Sequence, residues 1–167
     1  MGYDAVFRTD IGSDDLRSIL HDFAEKSAKA DVSIVYYAGY AVTAKGETYL
    51  IPVDIGVAGQ GVSGNDAISL RAVTRAVVGA RSLGLVVLDA RRESVFERMF
   101  EQYEGKAFQT AAPSMPARGA TLFFSAQLGK EVEEGNGRNS PFATAIMKSS
   151  SGRNLRSVSF SETFGMT

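Results

Sequence analysis

The chain has 167 residues, 44% hydrophobic and 22% charged, with a net charge of −1, the profile of one soluble domain of ordinary size. So small a charge provides no basic field for nucleic acid or anionic lipid. The absence of cysteine excludes disulfides, thiolate metal sites and a cysteine nucleophile, and the single histidine, His21, argues against a histidine-based metal site or proton relay.

At the N-terminus, Met1-Gly2-Tyr3-Asp4 lacks the basic-then-apolar pattern of a signal peptide. No apolar run approaches the roughly 18–20 residues that span a bilayer. The expected location is cytoplasmic, with no membrane partner. Residues 4–9 (DAVFRT) read as a short strand. Ser13 or Asp14 is placed to cap a helix, whose face carries Leu16, Ile19, Leu20 and Phe23 at i, i+3, i+4 and i+7. His21 falls beside that face and reads as a partly buried structural side chain.

Residues 32–38 (VSIVYYA) are apolar, β-branched and aromatic, which suits a strand buried on both faces in a parallel sheet. A hairpin around Lys45-Gly46 follows, with a second strand over residues 48–53. The glycine-rich residues 55–65 predict a loop. Within it, Gly59-Gln60-Gly61-Val62-Ser63-Gly64 fits G-x-G-x-x-G, but a dinucleotide fingerprint must open straight into a helix. Here the next helix starts only near Ser69, so the loop reading is preferred.

Ser69 caps a second helix with Leu70, Val73, Val77 and Val78 on one face, and residues 84–89 (GLVVLD) form another buried strand. A short helix over residues 96–103, a loop over 105–120 with Pro113 and Pro116, a strand over 121–125 (TLFFS) and a polar loop over 127–139 follow. Ser140 before Pro141 signals a last helix running to about Lys148, broken by residues 149–151 and Gly152. Strands and helices alternate, so the expected fold is an α/β sandwich with helices on both faces of a mostly parallel sheet and one inserted hairpin. Ligands in such sheets sit beyond the carboxyl ends of the strands. Residues 39–41, 90–92 and 125–127 fall there.

Three of these segments carry a family pattern. VSIVYYAGYAV…GETYLIPVD resembles the YYAGHG motif and the hairpin ending in NYLIPVD of the caspase/metacaspase family. LGLVVLDARRESVF resembles VILDACRxNPF of that family, and FFSAQLGKEVEEGNGRNSPFATAIM resembles its strand-to-GNGxNSPFT stretch. Order and spacing match over roughly residues 30–148, closest to the bacterial caspase-like branch of peptidase C14. The resemblance implies a three-layer α/β/α sandwich, one caspase-like domain over residues 1–167, with the family's first and last strands missing. It also implies a Cys–His dyad at two strand ends.

Carried over by position, the histidine becomes Tyr40 and the cysteine becomes Arg91, while the second glycine of GHG becomes Ala41. Asp89 and Ala38 match residues that line the pocket for a basic P1 side chain in metacaspase-like members. Gly39 matches the glycine whose N–H contributes to the oxyanion site. Arginine cannot deprotonate in a protein, and a phenol with pKa about 10 is a poor base at neutral pH. The resemblance therefore implies a pseudopeptidase acting through a protein or peptide partner, as a scaffold or as a regulator of an active relative. Two alternatives stand beside it: a hydrolase with residual or displaced catalytic groups, such as Ser94 or Ser125, and a truncated, non-functional gene product.

Further expectations attach to this reading. Arg91 pairs with Asp89 and occupies the P1 site, Arg92 is structural, and Glu133 and Glu134 are solvated loop charges. No metal or cofactor is expected: although calcium activates some metacaspases, no acidic cluster with ligand spacing is visible. The slot of the missing first strand is open to another chain, which makes a homo-oligomer an expected partner.

Overall fold

The computed structural model describes residues 4–44, 47–55, 67–91, 119–125 and 139–151. The chain divides into two compact units, one of Met1–Asp10 with Glu133–Thr167 and one of Ile11–Val132.

Among the described residues the larger unit is a sheet with two helices on it. In chain order its elements are α1 (Ser13–Ser27), β1 (Val32–Ala44), β2 (Glu47–Ile51), β3 (Ile68–Ser69), α2 (Leu70–Val77), β4 (Leu83–Arg91) and β5 (Ala120–Phe124). The sheet order is β3-β2-β1-β4-β5. β1–β4 and β4–β5 are parallel, whereas β1–β2 and β2–β3 are antiparallel. The sheet is mixed, as an inserted hairpin requires.

Both helices serve one face of the sheet. Leu50, Leu70, Val73, Val77 and Val86 are at most 1% exposed and form its core with Ala41, Ile68 and Leu88. Leu16, Leu20 and Phe23 of α1 pack on that cluster, as their helical spacing predicts. Burying each large aliphatic side chain contributes about 1.5–3 kcal/mol. Gly84 allows α2 to lie this close: a Cβ there would stand 2.5 Å from the Val77 carbonyl oxygen. On the opposite face, Val42, Ile51, Ile55 and Ala67 make a smaller cluster under Tyr40 and Tyr49.

Several local expectations change. Residues 4–9 carry no strand, and Val6 and Phe7 are each 51% exposed. A strand needs a ladder, and among the described residues this segment has none. β1 is one strand of 13 residues, because the first arm of the hairpin continues the parallel strand without a break. It is not buried on both faces throughout, since Ile34 is 41% exposed. The cap of α1 is Gly12, not Ser13 or Asp14, and it makes no side-chain cap bond. The donors at that helix end are met from outside: Ser13 N donates to Asp54 Oδ1 and Oδ2 at 3.0 and 2.9 Å, and Ser13 Oγ donates to Oδ1 at 2.9 Å. His21 is exposed, with Nε2 4.0 Å from Glu25 Oε1, so it is not a partly buried structural residue.

Other local readings hold. Ser69 caps α2, its Oγ accepting from Ala72 N at 3.1 Å. In the smaller unit, helix α3 (Pro141–Ser151) starts at Pro141, and Ser140 Oγ accepts from Ala143 N at 2.9 Å. α3 runs three residues beyond Lys148, because serines at a helix end fray it without forbidding helical backbone. The readings for Lys45-Gly46, Gly59 to Gly64, the helix over 96–103 and the loop over 127–138 lie outside the described residues, as do most of the two loops over 55–65 and 105–120. Among the described residues no helix is long and apolar enough to cross a membrane.

Candidate functional site

The parallel ladder between β1 and β4 gathers the sequence-derived positions. Its register pairs Ala38 with Asp89, Gly39 with Ala90 and Tyr40 with Arg91, the last pair at the point where β1 passes on to pair with β2. Positions paired across a parallel ladder lie about 4.8 Å apart and share one face of the sheet. Positions 38, 40, 89 and 91 therefore line one face at the carboxyl end of β4. Ala41, where the second glycine of the family motif would stand, is the next residue of β1, buried at 5% exposure in the helix-side core.

Asp89 is buried, with 8% of its surface exposed. Its Oδ2 accepts a hydrogen bond of 2.8 Å from the Tyr36 hydroxyl. A buried carboxylate requires hydrogen-bond donors, and Tyr36 is one that sequence reasoning missed. The signal lay in the alternation of β1, which puts Tyr36, Ala38 and Tyr40 on one face, two residues apart. The expected pairing of Asp89 with Arg91 concerns a side chain outside the described residues, as do Arg92, Ser94, Glu133 and Glu134.

Tyr40 is half-buried against Val42, Ile51, Ile55 and Ala67. Its ring continues the small apolar cluster of the hairpin. The backbone of Tyr40 is held from the other face by Tyr37, whose hydroxyl lies 2.9 Å from the Tyr40 carbonyl and 3.1 Å from that of Ile51. Burial pushes the Tyr37 phenol up to about 12, against the opposing pull of the two backbone bonds. Gly39 makes room for this reach, since a Cβ at 39 would stand 2.6 Å from the Tyr37 hydroxyl oxygen. This packing is a reason for glycine at 39 separate from any oxyanion role.

Ser125 follows β5, and its N–H donates to the Leu88 carbonyl at 2.9 Å. The β4–β5 register, continued one step past Leu88 and Phe124, sets Ser125 beside Asp89. Among the described residues its Oγ is buried without a hydrogen-bond partner, a polar atom at the same edge. Among the described residues no three of His, Cys, Asp and Glu stand together as metal ligands. Chemically, the edge offers a phenol, a buried carboxylate and a serine hydroxyl, with a guanidinium position at 91.

Comparison with known proteins bears on this edge. The family model described as Caspase domain (Peptidase C14) matches residues 1–164. No curated protein gives a significant match.

Proposed function

Since this chain belongs to the caspase-domain family of cysteine peptidases, we propose that it is a pseudopeptidase that binds a protein or peptide without cutting it. One observation carries the reading. Tyr40 and Arg91, the positions to which the family's histidine and cysteine map, are paired across the parallel ladder. On this reading the place of the reaction is kept while its chemistry is replaced. Nucleophilic attack needs a group with a free lone pair near neutral pH. A guanidinium has none, and a phenol is a weak base there. Loss of nucleophile and base together costs on the order of 10⁶ in turnover in a triad enzyme.

Two further features favour binding over residual hydrolysis. Asp89, the P1-pocket residue by resemblance, is buried and engaged by Tyr36. The Tyr40 ring is packed into an apolar cluster, a role that stabilises the fold. A regulator of an active relative, or a scaffold for one, needs only the surface of the domain.

The test is turnover of fluorogenic peptides ending in arginine, lysine or aspartate. The expected result is no cleavage above an unrelated protein control. Cleavage at rates typical of intact relatives, abolished by Ser125→Ala or Tyr40→Phe, would replace this reading with a hydrolase that uses displaced groups.

A further inference from the structure

β1 changes partner at the candidate site. It pairs with β4 as far as Tyr40 and with β2 from Tyr40 onward, so Tyr40 belongs to both ladders. The residue before it, Gly39, is the only glycine of β1. Glycine leaves the backbone its greatest freedom, so the strand is softest just ahead of the position that has to be held. On the other strand the β1–β2 ladder ends at Ile51. The next residue, Pro52, has no N–H with which to continue it.

One side chain spans this junction. The Tyr37 ring packs on the helix-side core, and its hydroxyl lies 2.9 Å from the Tyr40 carbonyl oxygen and 3.1 Å from that of Ile51. A phenol has one proton to donate, and here both strands present an acceptor to it. The contact from Tyr37 to Tyr40 passes over Gly39, where a Cβ would stand 2.6 Å from the hydroxyl oxygen. The adjacent Tyr36 points to the opposite face and ties β1 to β4 through Asp89. Two neighbouring phenols therefore join three strands at one edge, one from each face of the sheet.

We propose that Tyr37 is a positioning residue of the candidate site: its hydroxyl, acting through the backbone of Tyr40, fixes where β1 leaves β4 for β2 and so holds position 40 beside position 91. It acts on the strand and touches no ligand. The proposal rests on the assignment of positions 40 and 91 to the site, and it holds whether the chain binds a peptide or cuts one. Tyr37→Phe is the informative change, because the ring still fills its place in the core while the donor is lost.

The test uses a thiol at position 91 of this cysteine-free chain. Iodoacetamide rates are measured for Arg91→Cys and for Arg91→Cys with Tyr40→His, where a neighbouring imidazole raises the thiolate fraction. Both are then repeated with Tyr37→Phe. The expected result is that Tyr37→Phe removes most of the several-fold acceleration due to the imidazole and leaves the rate of Arg91→Cys alone unchanged. Val77→Ala, which opens the core beside Gly84 at the other end of β4, should leave the acceleration intact. An acceleration indifferent to Tyr37→Phe overturns the proposal, as does one lost equally with Val77→Ala. No acceleration with Tyr37 present removes the premise that positions 40 and 91 communicate, and the proposal with it. Hydrogen exchange on Tyr37→Phe alone is a second arm that needs no thiol. Faster exchange confined to residues 40–44 and 47–51 is expected, whereas a uniform change across the sheet, or a chain that no longer folds, would assign the hydroxyl to the fold as a whole and overturn the positioning role.

Discussion

Tyr40 and Arg91 are neighbours across the β1–β4 ladder, at its last parallel pair. Fifty residues of chain separate two positions that the sheet brings side by side. In a cysteine-free chain, this adjacency can be read by one thiol. Arg91→Cys introduces a single site for iodoacetamide. Adding Tyr40→His places an imidazole beside it, and a neighbouring imidazole raises the thiolate fraction. Alkylation at neutral pH is expected to be several-fold faster in the double variant than in Arg91→Cys alone. Equal rates would mean that the two positions do not communicate.

The Tyr36–Asp89 hydrogen bond gives a second prediction. Hydrogen bonds to charged groups contribute about 1.5–3 kcal/mol, and a buried carboxylate is costly to leave short of donors. Tyr36→Phe is expected to lower stability to urea by about 1–2 kcal/mol. Asp89→Asn keeps an acceptor for the phenol and should cost less. If Tyr36→Phe were neutral, the bond would not be holding the carboxylate.

Tyr37 predicts a pH dependence at the alkaline end. Its phenol is raised from 10.0 to about 12 by burial. The unfolded chain therefore releases this proton first as pH rises. The stabilisation is fully present below pH 10 and is lost progressively up to about 12. The stability difference between the natural chain and Tyr37→Phe should shrink across that window, measured by urea denaturation at each pH. Gly39→Ala should be strongly destabilising with Tyr37 present, because its Cβ would stand 2.6 Å from the hydroxyl oxygen. The loss should be much smaller beside Tyr37→Ala, a non-additivity expected of residues in contact.

The clasp between Asp54 and Ser13 predicts the opposite dependence. The Ser13 backbone N–H holds the Asp54 carboxyl below its ordinary value of 3.8, with a smaller contribution from the Ser13 hydroxyl and against a desolvation effect that raises it. A lowered carboxyl stabilises the fold above its unfolded value, and that contribution is lost as pH falls through the folded one. Asp54→Ala is expected to cost about 1 kcal/mol at neutral pH, the usual worth of a helix N-terminal cap. The gap between Asp54→Ala and the natural chain should close below pH 3.8. A gap that persisted in strong acid would assign the loss to packing instead of charge.

Sequence by itself determined the elements whose causes are local. The caps at Ser69 and Ser140 act over three residues, and the apolar spacing of α1 and α2 states which face meets the core. The strand over 84–89 was legible from its continuous apolar run and needed only its ends extended to Leu83 and Arg91. The motif resemblance also put positions 40 and 91 in one place, because in a parallel sheet the order of strand ends follows from the family's topology. Tertiary structure alone decided the rest. Tyr36 meets Asp89 across 53 residues, and Ser13 meets Asp54 across 41. Whether β-prone residues become a strand also depends on a partner: residues 32–44 found one along their whole length, whereas residues 4–9 found none among the described residues. A hydrogen bond or ladder between distant segments has no periodicity to betray it, since its free energy arises only after the fold has closed the loop between its two ends.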